Sequence, residues 1–149
     1  LLREYPDDPW FQELKGQILF ENGHVALSIA PYEKAVALRP DEALLRLGLA
    51  RAQIEINEPE FTKKAIKNLT AAARAEPNYT PHWRFLGIAY GRDQQLAQSS
   101  LALAEASLLR GEFAEAKYHA EKAKRGLATG SPAFLRAEDI SMAASQGIR

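Results

Sequence analysis

The chain of 149 residues balances 19 Lys and Arg against 19 Asp and Glu. That neutrality argues against a nucleic-acid binder, which needs a basic excess to replace phosphate counterions. Cysteine is absent, so a disulfide scaffold, a thiolate zinc site and a cysteine nucleophile are excluded, and no apolar run approaches the ~18 residues of a membrane span. The sequence has 26 Ala and 19 Leu but only 2 Val, 8 Ile and 4 Thr. Ala and Leu lead the helix-propensity order and β-branched residues favour strands, so the composition predicts an all-α chain.

In chain order, Leu1-Leu2-Arg3-Glu4-Tyr5-Pro6 has no Met and no signal-type apolar core. It reads as a cut inside a longer protein, with Leu1 and Leu2 the remnant of a helix from a preceding repeat. Asp8-Pro9, Thr80-Pro81 and Ser131-Pro132 each pair an N-cap side chain with a proline at the first helical position, where a missing N–H costs nothing. Asn22-Gly23, Arg39-Pro40-Asp41, Asn57-Glu58-Pro59, Glu76-Pro77-Asn78, Arg92-Asp93 and Arg110-Gly111 are breaks. Together these signals predict eight helices, over 9–22, 25–38, 42–56, 60–75, 80–91, 95–109, 112–127 and 131–146. The short connections force neighbouring helices to run antiparallel.

The breaks recur. Pro6, Pro40 and Pro77 follow one another at 34 and 37 residues, and the same spacing of small and large side chains precedes the last two. In one unit it is Ser28, Tyr32 and Ala35; in the next, Ala65, Leu69 and Ala72. The preceding helices carry Gly16 with Leu19, Ala50 with Gln53, and Gly87 with Tyr90. A small residue admits a close helix neighbour, and the large one fills the groove beside it. This helix–turn–helix unit resembles the tetratricopeptide repeat, most closely at Trp83-Arg84-Phe85-Leu86-Gly87-Ile88-Ala89-Tyr90. The resemblance implies a right-handed α-solenoid of antiparallel hairpins. The expected layout is a single domain over 1–149, with repeats at 9–42 and 43–79, an irregular one at 80–127, and a capping helix at 131–146. Between Gly91 and Gly111 one helix must serve where a regular array has two.

Nothing in the sequence points to catalysis. His24, His82 and His119 form no HExxH pair, and no GxSxG, P-loop or GxGxxG is present. At the helix starts, His24 and His82 are expected to be solvated or capping. The acidic pairs Asp7-Asp8 and Asp41-Glu42 suit helix N-termini, where the dipole favours them. The chain is therefore expected to be non-catalytic, with no cofactor and no metal of its own. Such repeats line a concave wall with the first helix of each hairpin. The candidate protein-binding groove is Glu13, Gln17 and Phe20, then Leu47, Arg51, Ile54 and Glu55, then Arg84, Ile88 and Arg92. Charge is uneven: residues 1–60 hold 11 acids and 6 bases, and residues 61–149 hold 8 acids and 13 bases.

The runs YPDDPWFQELKGQILFENG, HWRFLGIAYGR, LALAEASLLRGEFAEAKYHAEKAKRGL and GSPAFLRAEDI resemble the C-terminal region of BepA-like bacterial zinc metallopeptidases. That resemblance implies a periplasmic parent protein that acts in outer-membrane protein quality control, with its zinc and catalytic residues upstream of this chain. It implies protein or peptide partners: outer-membrane proteins, their assembly machinery, or the parent's own peptidase domain docking through Leu1–Tyr5. A stand-alone cytoplasmic adaptor with no peptidase is the alternative.

Overall fold

Helix starts in this chain are set by local chemistry. In the computed structural model, which describes residues 7–148, Asp8 caps the first helix by accepting hydrogen bonds from the Trp10 and Phe11 amides at 2.8 and 3.2 Å. Pro9 follows at the first helical position. Ser131 does the same for the last helix, its Oγ accepting from the Phe134 amide. Thr80 departs from expectation: it is already helical, and Tyr79 occupies the cap position without a side-chain cap bond. The expectations resting on Leu1, Leu2, Tyr5 and Pro6 lie outside the described residues.

Eight helices follow: α1 (Pro9–Glu21), α2 (Val25–Leu38), α3 (Ala43–Ile56), α4 (Pro59–Ala75), α5 (Thr80–Arg92), α6 (Leu96–Leu109), α7 (Phe113–Gly126) and α8 (Pro132–Ile148). Left-handed residues close several of the turns: Gly23, Asn57, Gln94, Gly111 and Gly130 all have positive φ. By its internal contacts the chain divides into two compact units, the first ending at Pro77 and the second beginning at Asn78, each described by itself.

In the first unit α1 pairs with α2, α2 with α3 and α3 with α4, the antiparallel order that short turns impose. Ile29, Tyr32, Leu49 and Ala52 form its core, with Phe20, Val36, Ile56 and Phe61 packed around them. Tyr32 is the keystone. A Cβ on Gly16 of α1 would stand 2.9 Å from its ring, and one on Gly48 of α3 would stand 3.0 Å away. Both helix backbones therefore approach the ring as only glycine permits. A polar chain joins α3 to α4: Arg46 Nη1 donates to Asn68 Oδ1 at 2.9 Å, and Asn68 Nδ2 donates to Gln53 Oε1 at 3.1 Å. Each amide thus finds a partner on burial.

In the second unit α6 packs against α5, α7 and α8. It is the single helix between Gly91 and Gly111, and it is the partner of both flanking helices. Its small residues make this possible. Ala104 meets Ala116 and Ala120 of α7 and Ile140 and Ala144 of α8 in one core, while Gly87 of α5 lies against Leu103. A bidentate ion pair ties α6 to α8: Arg136 Nε and Nη2 donate to Glu105 Oε1 and Oε2 at 2.5 and 2.8 Å. His82, expected at the surface, is fully buried, with its ring edge-on to Tyr79 at 4.8 Å.

Candidate functional site

Helical spacing puts Trp10, Glu13, Gln17, Phe20 and Glu21 on one side of α1, and Leu44, Leu47, Gly48 and Arg51 on one side of α3. In the first unit these two faces and Tyr32 of α2 enclose a cavity of about 290 Å³. Its floor is apolar: Tyr32 is 5% exposed and Leu47 8%. Aromatic surface continues up the walls through half-buried Phe20 and exposed Trp10.

The polar groups sit at the rim. Gln17 Nε2 donates to Glu21 Oε1 at 3.0 Å. The Arg51 guanidinium lies over the Phe20 ring, 5.7 Å from its centroid, in range for a cation–π contact. Burial holds the Glu13 carboxyl above its ordinary range, and the like charge of Glu21 adds to the effect. Burial also pushes the Tyr32 phenol up to about 12, with Glu13 and Glu21 reinforcing and Arg51 opposing. The phenol, two carboxylates and one guanidinium therefore share a partly desolvated space.

The structure thus brings Glu13, Gln17, Phe20, Leu47 and Arg51 around one cavity. Two other candidates on α3 are elsewhere. Ile54 is a correction: at 3% exposure it belongs to the core, because α3 is packed by α1, α2 and α4 and has little free surface. Glu55 is exposed and does not line the cavity. Arg84, Ile88 and Arg92 fall on one face of α5 in the second unit, where Ile88 is 38% exposed and Arg84 lies 4.9 Å over the Phe85 ring. The sequence reading missed Trp10, Glu21, Leu44 and Gly48. The spacing that selected Glu13, Gln17 and Phe20 extends to Trp10 and Glu21, and that signal was sufficient to find them. Tyr32 is legible only as a core ring, because its second role depends on α1 and α3 parting above it.

Among the described residues no helix is long and apolar enough to cross a membrane, and no group of three or more His, Asp or Glu is placed to hold a metal ion.

No family model matches the chain. Over 120 residues, 78% of its length, it is 32% identical to the beta-barrel assembly-enhancing protease of Yersinia pestis, of which the match covers 23%. The chain therefore spans less than a quarter of that curated relative. Solved structures of similar fold include MamA from residue 41 onward of Desulfovibrio magneticus RS-1, at 21% identity and a TM-score of 0.69, covering 99% of this chain and 80% of that one. A further crystal structure of MamA reaches a TM-score of 0.70 at 18% identity, covering 99% and 82% of the two chains. With its paired helices and breaks recurring at 34 and 37 residues, the chain has a tetratricopeptide-repeat-like helical fold and is similar over most of its length to one stretch of the beta-barrel assembly-enhancing protease.

Proposed function

We propose that the chain is a non-catalytic protein-interaction module that presents substrates or assembly partners to a periplasmic zinc peptidase of which it is a part. The carrying observation is the cavity between α1 and α3, where an aromatic floor and walls meet a polar rim. Concave sites of this make-up, mostly apolar with a few convergent polar groups, suit a side chain or short extended segment. The similarity to a protease named for β-barrel assembly supports outer-membrane proteins or their assembly machinery as partners, and the periplasm as the location. The isolated chain should capture such proteins, and Trp10→Ala with Leu44→Ala, both exposed residues of the cavity wall, should weaken capture. Undiminished capture by the double variant removes these faces from the account.

A second reading, docking onto the parent's own peptidase domain, has one observation in its favour. Trp10, Leu14 and Ile18 form an apolar stripe on α1 with 45%, 43% and 49% exposure, a pattern that marks a contact surface. Added in trans to a peptidase lacking this region, the chain should change the cleavage rate. An unchanged rate at saturating concentration counts against docking.

A further inference from the structure

The cavity carries more information than the class of its occupant. Its polar rim holds two carboxylates, Glu13 and Glu21, and one guanidinium, Arg51, which is engaged with the Phe20 ring. Three aromatic rings, Trp10, Phe20 and Tyr32, and two leucines, Leu44 and Leu47, supply its apolar lining. Each class of occupant meets this surface differently. An acidic side chain would face two like charges in a partly desolvated space, a juxtaposition that costs affinity. An apolar one would fit the floor but would strip water from Glu13 without offering it a partner. A long cationic side chain satisfies both parts: its methylene stem lies on Leu44, Leu47 and Tyr32, and its head reaches the carboxylates and the aromatic faces.

We propose that the cavity between α1 and α3 is a specificity pocket for an arginine or lysine side chain of an extended partner polypeptide, with Glu13 and Glu21 as its anionic pair and Trp10 and Phe20 as its aromatic walls. The proposal rests on the peptide-binding reading above and adds the chemistry of the anchoring side chain. The upward displacement of the Glu13 carboxyl by burial and by Glu21 is what an introduced cation would relieve. Binding should therefore weaken as pH falls and the Glu13 carboxylate, whose affinity for a proton burial raises, becomes neutral. Arg51 and the Tyr32 phenol also face the pocket, and the phenol, pushed up to about 12 chiefly by burial, stays neutral over that range.

The test uses the whole 149-residue chain and five fluorescein-labelled Gly-Ala peptides that differ only at one central residue: arginine, lysine, citrulline, leucine or glutamate. Anisotropy titrations should show arginine and lysine binding about tenfold more tightly than citrulline, the magnitude expected of a cation held by carboxylates and rings. Glu13→Gln with Glu21→Gln should abolish that preference while the leucine peptide binds at least as tightly as before, which separates lost recognition from lost folding. Citrulline matching arginine, or leucine or glutamate binding best, overturns the cationic assignment and leaves the peptide-binding reading standing. Failure of all five peptides to bind overturns both.

Discussion

Tyr32 is where core packing and the candidate site meet in a single residue. Its ring is clamped by the bare backbones of Gly16 and Gly48 while it forms the floor of the cavity. Tyr32→Ala should cost about 3–5 kcal/mol in urea unfolding, as aromatic core truncations do. A loss below about 1 kcal/mol would mean the ring is not a core element. Gly16→Ala tests the clamp from the other side: a methyl 2.9 Å from the ring forces ring or helix to move, with an expected cost of about 1–3 kcal/mol. The same ring sets an alkaline limit. Folding raises its phenol from 10.0 to about 12, chiefly through burial, so the folded state favours the neutral form. That contribution is complete below pH 10 and is lost as pH rises through the folded value. Wild-type stability should therefore fall between about pH 10 and 12, and Tyr32→Phe, which has no proton to lose, should fall less. Parallel loss in both proteins would contradict this account.

Among the elements, α6 shows how composition decides partnership. Ala102, Ala104, Ala106 and Ser107 leave it buried over most of its surface, so α5, α7 and α8 all pack on it. That one helix lies between Gly91 and Gly111 was legible, because the breaks are a property of sequence alone. The Glu105–Arg136 clamp was not legible, since its partners are 31 residues apart and nothing local pairs them. Arg136 keeps substantial exposure while Glu105 is 7% exposed, so Arg136→Ala strands a carboxylate in the interior. The expected loss is about 1–2 kcal/mol, discounted for the exposed guanidinium. Glu105→Leu in that background should recover part of it, because the stranded charge is gone. A further loss in the double variant would show that Glu105 is held by something other than Arg136. Urea titrations of the three proteins decide between these outcomes.

For the molecule as a whole, helix number and helix order were readable because Pro, Gly and Asn punctuate the chain at nearly every turn. The cavity was half readable. Spacing along α1 selected Glu13, Gln17 and Phe20, but on α3 it could not separate Leu47, which lines the cavity, from Ile54, which faces the core. A helix with apolar residues all round gives no periodic cue to which side stays open. Polypeptide recognition between α1 and α3 is the claim on which the functional account stands. It is tested most directly by an amide-resolved NMR titration of the chain with an unfolded outer-membrane-protein peptide rich in aromatic and basic residues. Shifts concentrated at Trp10, Glu13, Gln17, Gly48 and Arg51, and diminished in Glu13→Gln with Glu21→Gln, are the predicted result. Binding that leaves those amides unmoved would contradict it.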